Sequence, residues 1–104
     1  MLVKVLLERE VQPGKMEEAV QFLKRLRILA TSEPGYISGE TLYDAQEPAK
    51  LLVISTWASL DHWRAWQENP KRKELSAHLE RLLVRPTAAR FLHHSQAMPS
   101  AGGA

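Results

Sequence analysis

Residues Leu51 to Trp57, LLVISTW, are apolar at both odd and even positions apart from Ser55 and Thr56. A strand with two apolar faces belongs inside a sheet that is covered on both sides. The chain offers helical patterns enough for one cover only. The spacing therefore predicts helices of the same chain on one face and a second copy of the sheet on the other.

The flanking segments supply the rest of that sheet. From Leu2 to Val11, residues Val3, Val5, Leu7 and Val11 are apolar while Lys4, Glu8 and Glu10 take the other parity, as in a strand with one face against a core. Arg9 interrupts the apolar side. Pro13 and Gly14 break the strand, and Met16, Ala19, Val20, Leu23, Leu26 and Ala30 then recur at helical spacing up to Thr31 and Ser32. Glu17 and Glu18 near the start of this helix, with Lys24, Arg25 and Arg27 toward its end, suit the helix dipole. Tyr36 to Asp44 reads as a second strand, with Gly39 marking a bulge or a close approach to the backbone.

Ser59 is the expected N-cap of a short helix through Glu68, and Leu60, Trp63 and Trp66 share its inward arc. Asn69 and Pro70 restart the helix as a cap followed by a first-turn proline. Leu75, His78, Leu79 and Leu82 share one face of this second piece, which is expected to run until Pro86. Thr87 to His94 makes a last strand, and Ser95 to Ala104 a small-residue tail expected to be disordered. One domain over residues 1–94 results.

Composition removes several function classes. Fourteen Lys and Arg against twelve Asp and Glu leave a net charge of +2, with no cationic block for a polyanion. The chain has no cysteine, so disulfides and thiolate chemistry are excluded. No apolar run approaches the ~20 residues of a membrane span, and a cytoplasmic protein is expected. His93 and His94 are adjacent on a strand and point to opposite faces, which argues against a shared metal ion.

The order strand, helix, strand, strand, helix, strand with right-handed crossovers predicts an α+β, ferredoxin-like βαββαβ sandwich: a four-stranded antiparallel sheet with its helices on one face. RNA-recognition domains share this topology but carry stacking aromatics in a basic, glycine-containing third strand, where this chain has LLVISTW, so nucleic acid is not an expected partner.

VQPGKMEEAV, EPGYISGETLYD and above all TWASLDHWRAWQENP, in this order, resemble the antibiotic biosynthesis monooxygenase (ABM) family of dimeric α+β barrels, over about residues 2 to 94. The resemblance implies a homodimer joined through its sheet faces and a pocket within each subunit between sheet and helices. It implies activities such as cofactor-free oxidation of phenols, quinol chemistry and oxygenolytic haem degradation. In the haem-degrading branch, Trp66 matches the expected Trp, but the Asn position falls on Leu7 and the ligand position on Leu75, neither of which can serve iron or bound oxygen.

Projection of the elements lines the expected pocket with Leu7, Trp57, Trp63, Trp66, Leu75 and Leu79, with Arg9 and His78 as polar intruders. A cofactor-independent oxygenase needs a dry cavity, a base, and a donor for a developing oxyanion. His78 is the candidate base, because imidazole titrates near pH ~6.5. Arg9 or Tyr43 is the candidate oxyanion donor. Plainer readings stand beside these: His78 as a helix-face histidine at the core edge, the tryptophans as core packing, Arg9 as the ion-pair partner of Glu10 or of a dimer mate. The expectation is a cofactor-independent monooxygenase for an aromatic, phenolic or quinol-like small molecule, with no metal or flavin bound in the subunit. A non-catalytic ligand-binding or dimerisation module is the alternative.

Overall fold

The computed structural model describes residues 1–95, so the expected tail lies outside the described residues except for Ser95. The elements are β1 (Val3–Glu10), α1 (Met16–Ala30), β2 (Tyr36–Tyr43), β3 (Lys50–Trp57), α2 (Leu60–Gln67), α3 (Pro70–Glu80) and β4 (Ala88–His93). All pairings are antiparallel and the strand order is β2-β3-β1-β4, the α+β ferredoxin-like arrangement.

Register follows from the two apolar parities. Val3, Val5, Leu7 and Arg9 of β1 stand opposite Trp57, Ser55, Val53 and Leu51 of β3, and this set faces the helices. The other parity, Lys4, Leu6 and Glu8 beside Thr56, Ile54 and Leu52, forms the opposite face of the sheet. A one-residue slip would exchange the two sets, so burial of Val3, Val5, Leu51 and Trp57 pins the pairing.

Beneath the helices lie two apolar clusters. Val3, Val5, Ala30, Trp57, Trp63 and Trp66 make the first, while Val11, Ala19, Leu51, Leu79, Leu82 and Leu83 make the second. The caps hold as the sequence suggests. Ser59 Oγ accepts the His62 N–H at 3.2 Å, and Asn69 Oδ1 accepts the Arg72 N–H at 3.0 Å ahead of Pro70. Gly35 has φ +82°, and a Cβ there would come within 2.3 Å of the His62 ring, so this turn requires glycine.

Two boundaries differ from expectation. α3 stops at Glu80 and does not continue to Pro86, because residues 81–84 turn away to pair with the end of β1. Leu83 bridges Val11, Val84 N–H donates to the Glu10 carbonyl at 2.8 Å, and Gln12 Nε2 donates to the carbonyls of Arg81 and Leu83. The irregularity in β2 lies between Tyr36 and Ser38, not at Gly39. Gly39 is instead the point of close approach: a Cβ there would meet the Tyr36 hydroxyl at 2.7 Å and the Arg27 guanidinium at 3.2 Å.

Candidate functional site

The site is built outward from Trp57, which ends β3 on the helix-facing parity. Its indole is 1% exposed and donates from Nε1 to Ser55 Oγ at 3.0 Å, which satisfies the buried N–H. Tyr36 meets it edge-on at 5.3 Å, Trp63 edge-on at 5.8 Å, and Trp66 lies nearly parallel at 6.0 Å. Helical spacing on α2 puts Trp63 and Trp66 over the sheet, and the Asn69-Pro70 break keeps that helix short enough to angle them there.

Against these rings lies a cavity of about 70 Å³ between sheet and helices. Leu7, Val53 and Ser55 form its floor, Leu23 and Leu26 of α1 one wall, and Trp57, Trp63 and Trp66 another. Its polar lining comes from Arg9, Arg27, Arg72, Tyr36 and Thr41. Arg27 is engaged: Nη1 donates to the Gly39 carbonyl at 2.9 Å and Nη2 to Thr41 Oγ1 at 3.2 Å. Arg9 donates from Nε to Thr87 Oγ1 at 3.0 Å, and Arg72 from Nη1 to the Gln67 carbonyl at 3.2 Å.

Burial pushes the Arg9 guanidinium down to about 10, with Glu80 opposing the shift and Arg72 adding to it. Arg72 is lowered for the same first reason, desolvation, against the pull of Glu80 and Glu68. Glu10 is not the partner of Arg9. It accepts from Arg85 at 2.8 Å at the sheet margin, and the Arg85 hydrogen bond holds its carboxyl below the usual range.

Five expected lining residues come together in this cavity: Leu7, Arg9, Trp57, Trp63 and Trp66. The others do not join them. His78 is exposed on the outer side of α3, stacked on Phe22 with ring centres 5.4 Å apart, and does not reach the cavity. Its helical phase sets it beside α1, away from the sheet. Leu79 is spent in the second apolar cluster, 1% exposed, and Leu75 borders a separate hollow with Arg25, Ile28 and Lys71. Tyr43, at the far end of β2, is 51% exposed.

Tyr43 instead borders a larger, open hollow of about 510 Å³ with Glu8, Leu42, Asp44, Lys50 and Arg85. That hollow is mostly of the outer parity and lacks an aromatic wall, so the smaller cavity is the candidate site despite its size. Sequence reasoning missed Arg27, Arg72, Tyr36 and Thr41. Parity alone could have placed only one of Tyr36 and Thr41, since they differ in parity; the irregularity between Tyr36 and Ser38 brings both to the helix-facing side, opposite Trp57 and Val53. Among the described residues, no group of three or more His, Asp or Glu is placed to hold a metal ion, and no helix is long and apolar enough to cross a membrane.

The model of the family "Antibiotic biosynthesis monooxygenase" matches residues 2–78. The chain belongs to that family. A curated relative, the 42.8 kDa protein in the whiE locus of Streptomyces coelicolor, is 28% identical over 64 residues; these are 62% of this chain but only 16% of that protein, so the chain spans a small part of its length. A conserved protein of Methanosarcina mazei Go1 superposes with a TM-score of 0.85 at 19% identity, covering 89% of this chain and 92% of the other. SnoaB, a cofactor-independent oxygenase from Streptomyces nogalater, gives 0.83 at 16% identity over 95% and 98%. At these identities the likeness establishes the fold.

Proposed function

We propose that this chain is a monooxygenase for a small aromatic, phenolic or quinol-like molecule, using no flavin or metal of its own. The observation that carries the reading is a tryptophan-walled cavity with guanidinium groups in its lining. An aromatic ring seats against the indoles, and the cations at the other end favour the deprotonated form of its hydroxyl. None of the cavity's side chains is a carboxylate or an imidazole, so the substrate proton leaves to water, assisted by the depressed substrate pKa. Arg9 keeps the oxyanion-stabilising role, while neither His78 nor Tyr43 is retained in the site.

The redox step draws all its electrons from substrate and oxygen. The anion passes one electron to O2, the two radicals join through a new C–O bond, and the peroxide anion so formed takes a proton back from water to give a hydroperoxide. Loss of water across its O–O and C–H bonds leaves a carbonyl. One oxygen atom stays in the product, the other leaves as water, and an activated CH2 becomes C=O. At about 70 Å³ the cavity is several-fold smaller than the ~300 Å³ lower bound of typical ligand pockets. A one-ring substrate is therefore favoured, and a three-ring one requires the Leu23 and Leu26 wall of α1 to move.

Oxygen uptake tests the reading, with anthrone as the probe, conversion of its CH2 to C=O followed as anthraquinone, and Arg9→Gln beside the natural chain. Uptake reduced at least about tenfold in the variant is expected. No uptake above the protein-free blank removes the oxygenase and leaves the rival, a ligand-binding module, which the absence of an acid–base pair in the cavity favours. Haem degradation gains no support, because Leu75 and His78 both lie outside the cavity.

The homodimer belongs to the same proposal. Leu6, Leu52 and Ile54 are only partly covered on the outer face, Leu42 and Leu92 are 46% and 40% exposed, and Lys4, Glu8, Glu40 and Arg90 surround them. An apolar patch with a charged margin is what an interface between two sheets needs. Ile54→Lys, at its centre, is expected to weaken the dimer at least about 30-fold in sedimentation velocity. A natural chain that sediments as a monomer at micromolar concentration would sink the dimer.

A further inference from the structure

Arg9 and Arg72 have more donors than the protein uses. Nη1 and Nη2 of Arg9 have no protein acceptor among the described residues, and Arg72 leaves Nε and Nη2 unengaged. No carboxylate among the described residues comes within ion-pair distance of either guanidinium. Two carboxylates act on them from further away. Glu80 is shared by both and accepts from the Thr87 N–H, while Glu68 is already paired with Lys73 at 2.7 Å. With Arg27 the cavity is lined by three guanidiniums and by no carboxylate.

A single phenolate leaves part of this charge unbalanced. A planar anion with two oxygens suits the paired forks of Arg9 and Arg72, since guanidinium and carboxylate match in geometry and donate in parallel. We propose that the ligand of this cavity is an aromatic acid, its carboxylate held between Arg9 and Arg72 and its oxidisable ring against Trp57, Trp63 and Trp66. The proposal rests on the monooxygenase reading for the ring's fate but not for the binding. The lowered pKa values of both arginines agree with it, because a desolvated cation gains most from an anion brought to it.

The test compares 2,5-dihydroxybenzoate with 2,5-dihydroxybenzamide, which has the same ring and shape without the charge, by isothermal titration calorimetry on the full chain. The acid is expected to bind at least about tenfold more tightly than the amide, the return of charge-assisted hydrogen bonds. Arg72→Gln is expected to abolish that preference while retaining the natural melting temperature within a few degrees, and Arg9→Gln to do the same. Should Arg9→Gln fail to fold, Arg72→Gln and the natural chain's acid-to-amide ratio decide the matter.

Equal affinity for acid and amide, no binding of either, or an acid preference that survives in Arg72→Gln overturns the proposal. Acid preference without any oxygen uptake keeps it and removes the oxygenase. Uptake on neutral anthrone with no acid preference does the reverse.

Discussion

Trp57→Ala is expected to lose about 3–5 kcal/mol of stability, the range for a large aromatic truncated in a core. Tyr36, Trp63 and Trp66 all pack on this one indole, and Ser55 Oγ, itself buried, loses the donor it accepts from. The indole also joins β3 to α2, so its removal loosens the short helix as well as the sheet. A domain of this size has about 5–15 kcal/mol in total, so the variant stands near its unfolding threshold at 37 °C. Urea denaturation followed by circular dichroism measures the loss. Trp57→Phe, which keeps a ring there, should lose less than half as much. A loss below about 1 kcal/mol for the alanine variant would show that the ring cluster is not the centre of the core.

How much of this was legible in the sequence depends on the period of each element. β3 and β1 are legible because a strand's side chains alternate strictly, so the apolar parity fixes which residues meet the helices. The same rule assigns Leu7, Arg9 and Trp57 to one cavity. α3 resisted the same treatment. Its apolar stripe says that Leu75 and Leu79 are covered but not by what, and α1 turned out to be the cover. The same stripe carries His78 inward, whereas a step of about 100° around the helix from Leu79 places it on Phe22. Arg72 carried no signal at all, since an arginine in the first turn of a helix is ordinarily a solvated residue, and only tertiary packing turns it toward Arg9.

The two ends of the cavity oppose one another in stability. The tryptophan end is among the largest sources of apolar burial in the chain, with three indoles each at most 6% exposed. The arginine end works against folding, because it takes cations from water without an adjacent carboxylate. A chain selected for stability alone would fill that end with leucine, as the second cluster does around Leu51 and Leu79. Retained cations under an aromatic wall are a local departure from the folding pattern, and such departures concentrate where ligands are bound.

Arg9→Met puts that opposition to its sharpest test, because stability and function should move in opposite directions. Burial holds the Arg9 guanidinium well below its ordinary range, pushed down to about 10. The folded state therefore disfavours the cation relative to the unfolded state. The sign is that of a base with a depressed pKa: the penalty is fully present at every pH below about 10, and stability would rise with pH only above that value. A shift of this size corresponds to about 3 kcal/mol at most, of which the lost Thr87 hydrogen bond takes back about 1. Methionine has a similar reach and no charge, so a gain of about 1–2 kcal/mol is expected, raising the melting temperature by about 5 °C or more. The same variant should bind 2,5-dihydroxybenzoate at least about tenfold more weakly. Calorimetric melting and titration of one preparation measure both. A variant that melts lower than the natural chain would mean that Arg9 is a structural cation, braced by Thr87 and Glu80 and not held in reserve for a ligand.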